Sequence, residues 1–221
     1  MVQIKLESQI LGANDLIARR NSAHFQENQI LAINLMSSPG SCKTTLLERT
    51  IDALADSLKM AVIEGDLYTD QDAQRIEKKG VKVVQINTDG TCHLDAGMVE
   101  RAFKEIAYDG LQLLFVENVG NLVCPAEFNL GEDLRVVLAT TTEGNDKITK
   151  YPLIFREAQA VVLNKIDLLP YTDFSLEQFQ EDVQRINPQA RIFMISGRTG
   201  QGIDEWTQWL LEEVRYKIST G

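Results

Sequence analysis

Residues 30–58 read ILAINLMSSPGSCKTTLLERTIDALADSL. The first part is an apolar run typical of a buried strand, and the last part has the spacing of an amphipathic helix. The polar residues between them, SSPGSCKT at 37–44, place a lysine and a threonine where the helix begins. A strand, a loop and a helix in this order are typical of a phosphate-binding loop, in which backbone N–H groups and the helix N-terminus hold phosphate oxygens.

The general form of such a loop is GxxxxGK followed by serine or threonine, and this chain departs from it at both glycine positions. Ser37 replaces the first glycine and Cys42 the second. A serine is tolerated where the strand end has ordinary geometry, whereas a cysteine in a left-handed conformation costs about 1 to 2 kcal/mol and crowds an approaching phosphate. We therefore predict a nucleotide loop whose binding is weakened by Cys42. We expect the nucleotide to contact six consecutive residues: Gly40, Ser41, Cys42, Lys43, Thr44 and Thr45.

Apolar runs rich in β-branched residues alternate with segments of helical spacing along the chain. This alternation predicts parallel crossovers and a sheet covered on both faces by helices. We predict a doubly wound α/β domain of the P-loop NTPase type at 29–221, with a mostly parallel sheet of about seven strands. Residues 1–28 are expected to form an N-terminal helical extension, in which an amphipathic segment at 5–25, broken at 12–14, packs on the domain edge. The predicted strands lie at 30–36, 60–64, 82–87, 112–117, 134–140, 160–165 and 191–195, and the main predicted helices at 69–79, 95–107, 175–186 and 202–217.

The composition argues against several classes of partner. Lysine and arginine number 22 against 32 acidic residues, for a formal net charge of −10, so we expect no nucleic acid to bind. No apolar run approaches the ~20 residues needed to span a bilayer, and we expect no membrane partner. The N-terminal residues lack the sections of a signal peptide, which predicts a cytoplasmic protein whose three cysteines are thiols.

The tetrapeptide NKID at 164–167 follows a predicted strand and indicates a site that reads guanine. The Asp167 carboxylate would accept from N1–H and the N2 amine, Asn164 would support the base and its loop, and the Lys165 stem would cover the ring. Adenine offers neither donor and leaves a buried carboxylate unpaired, which rejects it by roughly 10⁴-fold. The later stretch SGRTGQG resembles a loop that closes on the guanine from its backbone side, with Ser196 at the strand end.

Acidic and glycine residues follow two other predicted strands and indicate a magnesium site. Asp66 is placed to meet Mg²⁺ or orient water, and Glu117 to join the Mg²⁺ ligands together with the Thr44 hydroxyl. Gly120 is placed to give a backbone N–H to the γ-phosphate, and Lys43 to reach the β and γ phosphates. We expect Lys43, Asp66 and Glu117 to act in catalysis by position and electrostatics.

Two short stretches carry candidate ligands for a softer metal. Cys92 and His93 are adjacent in TCHLDA, and Cys124 lies in NLVCP. Thiolate and imidazole suit Zn²⁺ or Ni²⁺, with tetrahedral geometry favouring the first and square-planar geometry the second. On composition alone, inert buried cysteines are the better interpretation.

Six motifs resemble, in the same order, those of the HypB family of GTPases, which help to insert nickel during maturation of nickel-iron hydrogenases, and the match runs from about residue 14 to 210. The pairing of CHLDA with ENVGNLVCP distinguishes this family from the related UreG proteins of urease maturation. The motifs are SSPGSxKTTLLE, VIEGD, CHLDA, VENVGNLVCP, TEGxDKxxKYP and NKIDLLPY.

The resemblance implies a GTPase that uses GTP/GDP and Mg²⁺ and forms a homodimer when GTP is bound. It implies a nickel or zinc site at the dimer interface made of Cys92, His93 and Cys124 of each chain. It also implies nickel transfer together with a HypA-type metallochaperone to a hydrogenase large subunit. Some members carry an N-terminal cysteine motif or histidine-rich tract that binds nickel, and because neither occurs in this N-terminal sequence, we do not expect nickel storage.

Two other functions stay open at this point. A nucleotide-impaired scaffold would bind metal and partner without GTP turnover, because Cys42 replaces the glycine of SGKT. An ATP-dependent kinase on the same fold is disfavoured by the NKID tetrapeptide.

Overall fold

The computed structural model describes residues 6–66, 71–106 and 109–220, with the backbone only for 6–10. These residues form a seven-stranded sheet in which each neighbouring pair of strands is parallel. Helices cover both of its faces, so the predicted doubly wound α/β fold is confirmed. Within the described part of the chain, no helix combines the length and the apolar character needed to cross a membrane.

The predicted strands are confirmed, and their bounds differ from the predicted ones by no more than two residues. Predicted helical residues 69–70 and 107 lie outside the described part of the chain. The strands are β1 (Leu31–Ser37), β2 (Met60–Asp66), β3 (Lys82–Asn87), β4 (Leu113–Glu117), β5 (Leu134–Thr140), β6 (Ala160–Asn164) and β7 (Arg191–Met194). The helices are α1 (Leu6–Glu27), α2 (Lys43–Leu54), α3 (Gln71–Glu77), α4 (Ala96–Lys104), α5 (Cys124–Glu127), α6 (Lys147–Lys150), α7 (Pro152–Arg156), α8 (Leu176–Ile186) and α9 (Ile203–Thr220), with a 3₁₀ helix at Ile166–Tyr171.

The central strand of the sheet is β1, in the order β3-β2-β4-β1-β5-β6-β7. Its neighbours β4 and β5 lie on opposite sides of it. The chain first forms β2, β3 and β4 on one side of β1 and then β5, β6 and β7 on the other. The loop after β1 therefore lies at a topological switch point, where the carboxyl ends of parallel strands open a crevice for ligands.

The side chains of β1 alternate between two helical layers. Ile33 and Leu35 pack in a cluster with α2 and α9 that includes Trp206. Ala32 faces the other way, into a cluster with α1 and α4 that includes Phe25. Because all seven residues of β1 are buried, both layers fix the position of the loop that follows it.

Helix α1 packs against α4 and runs without interruption through residues 12–14, so the predicted break there is wrong. Asn14 is buried and bridges two other segments, donating to the Asn129 carbonyl at 2.7 Å and accepting from Ala96 N–H at 2.8 Å. Gly12 is exposed with space around it, so it creates no clash that would end the helix. The predicted helical segment at the domain edge is present, while the division of the chain at residue 28 stays a prediction.

Candidate nucleotide and metal sites

The predicted phosphate loop joins β1 to α2. Gly40 and Cys42 both have a positive φ, of 76° and 65°, and the ψ of Cys42 is 43°. The left-handed conformation expected for Cys42 is therefore present, in a region that costs a residue with a Cβ about 1 to 2 kcal/mol. Ser37 is the last residue of β1 and has no positive φ, so serine is compatible with the first glycine position.

The Ser37 hydroxyl organises the interior of the loop. It accepts hydrogen bonds from Lys43 Nζ at 2.9 Å and Ser41 Oγ at 2.5 Å, and it donates to the Ser38 carbonyl at 2.8 Å. Because Ser37, Ser41 and Lys43 are all buried, these bonds fix the lysine at the start of α2. The serine that departs from the general pattern thus holds the lysine on which the pattern depends.

The Cys42 side chain lies on the base side of the loop. It lines a cavity of about 260 Å³ together with Thr45, three residues of the NKID stretch, Leu168, Gly197 and Arg198. It does not line the separate crevice formed by Gly40, Lys43 and Gly120. The Cys42 thiol therefore borders the predicted base cavity, and the expected crowding of a phosphate stays a prediction.

Asn164 connects the two loops that border this cavity. Its Nδ2 donates to the Ser41 carbonyl at 3.1 Å, and its Oδ1 accepts from Gly197 N–H at 3.0 Å and Lys165 N–H at 2.7 Å. Because Asn164 is 1% exposed, its bonds to the Ser41 carbonyl and the Gly197 N–H are shielded from water. Asn164 thereby fixes the spacing between the phosphate loop and the loop that begins at Ser196.

The Asp167 carboxylate is oriented by Ser196, whose hydroxyl donates to Oδ1 at 2.6 Å. Lys165 has a φ of 61° and donates from Nζ to the Gly40 carbonyl at 2.8 Å, so its stem crosses between the phosphate loop and the cavity. Asp167 is left with its other oxygen for the N–H donors of a base. Three of the four residues predicted to read guanine, Asn164, Lys165 and Asp167, thus line one cavity, and the fourth, Ser196, bonds to Asp167.

The acidic residues predicted to hold Mg²⁺ meet in a crevice of about 240 Å³ at the ends of β1, β2 and β4. Thr44 donates from its hydroxyl to Glu117 Oε1 at 3.1 Å. Asp66, at the end of β2, and Gly120 line the same crevice. Two further acids that the sequence reasoning did not assign also line it, Glu64 and Asp72.

The carboxyl groups of Glu64 and Glu117 are buried and resist ionisation. Burial, followed by the neighbouring Glu117, raises the pKa of Glu64 to about 8. Burial likewise raises the pKa of Glu117 to about 7, against the opposing effect of Lys43. One oxygen of each, Oε2, is buried without a hydrogen-bond partner among the described residues. Hard divalent cations prefer such oxygen ligands, so the side chains present fit Mg²⁺.

The adjacent residues Cys92 and His93 are brought together with Cys124, which follows Cys92 by 32 residues in the sequence. One ligand atom from each lies within 4.8 Å of the others. The two sulfur atoms are 3.0 Å apart, and Cys92 Sγ lies 3.9 Å from His93 Nδ1. Both cysteines are free thiols, with Cys92 exposed. This cluster, called the thiol cluster below, has the donor types that bind Ni²⁺ or Zn²⁺.

The protonation of the thiol cluster follows from its surroundings. Burial lowers the pKa of His93, whose ring stacks on Phe128 at 3.9 Å, and this favours the neutral imidazole that binds metals. The hydrogen bond between Cys92 and Cys124, followed by burial, raises the pKa of the Cys124 thiol. A metal ion that binds both sulfur atoms as thiolates must displace the proton of each thiol.

One irregular segment, residues 117–124, connects the crevice with the thiol cluster. Glu117 lies at its crevice end, and Cys124 begins α5 at the other end. Between them, Gly120 packs so closely on the phosphate loop that an added Cβ would lie 3.0 Å from Pro39 Cα. The segment therefore touches both sites.

A doubly wound parallel sheet with a phosphate loop after its central strand defines a P-loop nucleotide-binding protein. The family model described as "CobW/HypB/UreG, nucleotide-binding domain" matches residues 31–194. The chain therefore belongs to the CobW/HypB/UreG family, and HypB proteins are its relatives within that family. The resemblance to HypB drawn from the six motifs is confirmed.

Three relatives illustrate this similarity. "Hydrogenase maturation factor HypB" of Azotobacter chroococcum mcd 1 is 49% identical over 209 residues, which cover 94% of this chain and 68% of that protein. The crystal structure of HypB from Helicobacter pylori in complex with nickel has 41% sequence identity and a TM-score of 0.87, covering 92% of this chain and 96% of that chain. The structure of HypB from Archaeoglobus fulgidus has 38% identity and a TM-score of 0.87, covering 92% and 100%.

Proposed function

We propose that this protein is a GTP-hydrolysing metallochaperone that couples GTP-dependent dimerisation to nickel delivery for hydrogenase maturation. The observation that carries the proposal is the segment 117–124, which has Glu117 in the acidic crevice and Cys124 in the thiol cluster. Glu117 would hold the Mg²⁺ that accompanies a γ-phosphate, so nucleotide binding would order this end of the segment and change the position of Cys124. Relatives named as hydrogenase maturation factors, and a HypB crystallised with nickel, support the choice of cargo.

The nucleotide is held by the residues that meet around the two cavities. Lys43 binds the β and γ phosphates, Gly120 donates its N–H to the γ-phosphate, and the backbone from Gly40 to Thr45 surrounds the phosphates. Asn164, Lys165, Asp167 and Ser196 select guanine. The oriented Asp167 carboxylate, with an oxygen left to accept the N–H donors of guanine, supports GTP over ATP.

Hydrolysis depends on charge and position. Thr44, Asp66 and Glu117 would hold Mg²⁺, which when bound neutralises the charge that develops on the phosphates. Lys43 stabilises the same charge, and Asp66 aligns the attacking water. The unpartnered buried oxygen of Glu117 supports this set of ligands.

The thiol cluster holds Ni²⁺, or Zn²⁺ in its place, as cargo. Three ligands from one chain leave coordination positions open, and Cys92 is exposed, so the same residues of a second copy complete the site when GTP binding forms the homodimer. A HypA-type metallochaperone and the hydrogenase large subunit are the partners that give and take the metal. The action is proposed to take place in the cytoplasm, where the thiols remain reduced.

The experiment that tests this function compares the affinity for nickel, and for zinc, in the presence of GDP and of a non-hydrolysable GTP analogue. We expect the two nucleotide states to differ in metal affinity, with the mass in solution doubling in the analogue. Equal affinities in both states would contradict the coupling.

A nucleotide-impaired scaffold is the second candidate, favoured by the strained left-handed conformation of Cys42. A scaffold would bind nickel but would show weak binding of a fluorescent guanine nucleotide and no GTP turnover. Membership of the HypB family supports the GTPase instead. Turnover of GTP by the unmodified chain discriminates the two.

A further inference from the structure

Asn121 lies in the segment 117–124, between the residue that touches the phosphate loop and the residue that carries a thiol of the cluster. Its Nδ2 donates to the Cys92 carbonyl at 3.3 Å, and its Oδ1 accepts from Val123 N–H at 2.8 Å. One side chain therefore ties the backbone that carries Cys92 to the backbone that leads into Cys124. Asn121 is not one of the predicted metal ligands, and the sequence pattern predicted no role for it.

A second asparagine of the segment fixes the same loop to the sheet. Asn118 Oδ1 accepts from Leu94 N–H at 3.1 Å, two residues after Cys92, and Asn118 Nδ2 donates to Asn34 Oδ1 at 3.2 Å in β1. Asn118 is 1% exposed and Asn34 is fully buried, so this attachment belongs to the core. Asn121 is only half-buried, and it bonds to the loop of Cys92 and Leu94 at its outer end, at the Cys92 carbonyl.

Gly120 connects this arrangement to the nucleotide crevice. It lines the crevice, and it lies against the backbone of Pro39 with too little space for a methyl group. A phosphate that bonds the Gly120 N–H would displace the peptide between Val119 and Gly120, which lies one residue before Asn121. Because Asn118 is held by the core, such a displacement is transmitted towards Asn121 and not towards β1.

We propose that Asn121 is a positioning residue that transmits a change at Gly120 to both thiols. It acts on Cys92 through its hydrogen bond to the Cys92 carbonyl, and on Cys124 through its hydrogen bond from the Val123 N–H. The inference rests on the proposed nucleotide-coupled metal function and names the side chain that carries the coupling. Outer hydrogen bonds of this kind orient metal ligands and are worth roughly 10- to 100-fold in metal affinity.

The test compares the unmodified chain with Asn121→Ala and Asn121→Asp, using nickel chloride with GDP or with a non-hydrolysable GTP analogue. The aspartate keeps the acceptor for Val123 N–H and loses the donor to Cys92. The negative charge of the aspartate shifts the nickel affinity alike with GDP and with the analogue. The quantity compared is therefore the ratio of the nickel affinities in these two nucleotide states. We expect the ratio to fall towards one in both variants, with a roughly tenfold weaker nickel affinity in Asn121→Ala.

The matched control is Asn145→Ala. Asn145 also bridges a loop with both ends of its amide, donating to the Ser175 carbonyl at 2.7 Å and accepting from Ser175 N–H at 3.0 Å. This bridge ties its loop to the start of α8 and involves none of the three cluster residues. Asn145→Ala should lose a similar amount of stability and keep the full affinity ratio.

A measurement without nickel checks the spacing of the thiols directly. Diamide, which takes up two electrons and two protons, converts Cys92 and Cys124 to a disulfide that peptide mass analysis identifies. The rate should fall several-fold in Asn121→Ala, because the two loops are no longer held with their sulfur atoms 3.0 Å apart.

The outcomes separate this inference from the proposed function. A ratio of one in the unmodified chain overturns the nucleotide coupling itself. A ratio that differs from one in the unmodified chain and stays within twofold of that value in Asn121→Ala overturns the role of Asn121 and leaves the function standing. An equal fall in Asn145→Ala also overturns it, because a general loss of stability then explains the effect.

Discussion

Glu64 and Glu117 occupy paired positions on the adjacent parallel strands β2 and β4, and both side chains are buried. Paired positions on parallel strands point to the same face, so the two carboxyl groups share one poorly solvated region. Together with burial, this arrangement favours the protonated forms and leaves the pair ready to ionise around a cation.

The first prediction concerns stability against pH in the absence of Mg²⁺. The pKa of Glu64 is raised from 4.5 to about 8, so the folded state keeps a proton that the unfolded state loses as the pH rises. The free energy of unfolding should therefore fall between about pH 5 and 8, by on the order of 3 kcal/mol. Glu64→Gln should remove the share of the fall that Glu64 contributes and leave the share that the raised pKa of Glu117 contributes, measured by urea denaturation with a chelator present. The exposed Glu181→Gln should leave it unchanged, and a pH-independent unmodified chain would contradict the raised pKa.

The second prediction concerns strain at Cys42. Cys42→Gly relieves a left-handed conformation but adds freedom to the unfolded chain, so we expect a net gain of about 0.5 to 1 kcal/mol in unfolding free energy. The variant should also bind a fluorescent guanine nucleotide more tightly, because the side chain no longer narrows the base cavity.

Cys42→Ala is the control, since it keeps the Cβ and its strain while removing the thiol. Equal stability and equal nucleotide binding in Cys42→Gly and the unmodified chain would show that the strain has no consequence.

The third prediction concerns base selection. Asp167→Asn replaces one acceptor oxygen with a donor, which suits the O2 carbonyl of xanthine and opposes the N2 amine of guanine. Affinity for GTP should fall by roughly 100-fold, and xanthosine triphosphate should become the preferred ligand in competition binding. Asp173→Asn, an exposed change nearby, should leave GTP binding intact. Retention of guanine preference in Asp167→Asn would place the base elsewhere.

The sheet and its order of elements could be predicted from the sequence because parallel strands buried on both faces are continuous apolar runs. The conformation of Cys42 was predictable because its place in the loop pattern requires a positive φ. The continuity of α1 through residues 12–14 was not predictable. Asn14 is held there by bonds to residues that are distant in sequence.

The same reason explains what was missed in the site. Glu64 gains its significance from its strand neighbour Glu117, and this pairing depends on the order β2-β4-β1, which the one-dimensional pattern does not contain. An acid inside an otherwise apolar strand was the available signal. Asn121 gave no such signal, because its two partners become visible only when the loops of Cys92 and Cys124 are placed together.

The fourth prediction concerns close backbone contact at Gly120. Gly120→Ala places a Cβ 3.0 Å from Pro39 Cα, so the segment or the phosphate loop must shift. We expect a loss of about 1 to 3 kcal/mol in unfolding free energy and weaker GTP binding. Gly12→Ala, where an added Cβ meets nothing within 4 Å inside α1, should instead stabilise the protein by about 1 kcal/mol. Thermal unfolding of both variants checks the contrast, and a harmless Gly120→Ala would mean that the two loops are not in contact in solution.

The fifth prediction concerns which thiols bind metal. Cys124→Ser removes a sulfur ligand that faces Cys92, and nickel affinity should fall by more than roughly 100-fold, because loss of an outer partner alone costs 10- to 100-fold. The sulfur-to-nickel absorption band should weaken with it. Cys42→Ser is the matched control, because Cys42 lies in the base cavity and takes no part in the thiol cluster. An equal loss of nickel affinity in Cys124→Ser and Cys42→Ser would contradict the prediction. The effect would then not depend on membership of the thiol cluster, and the cluster would not be the metal site.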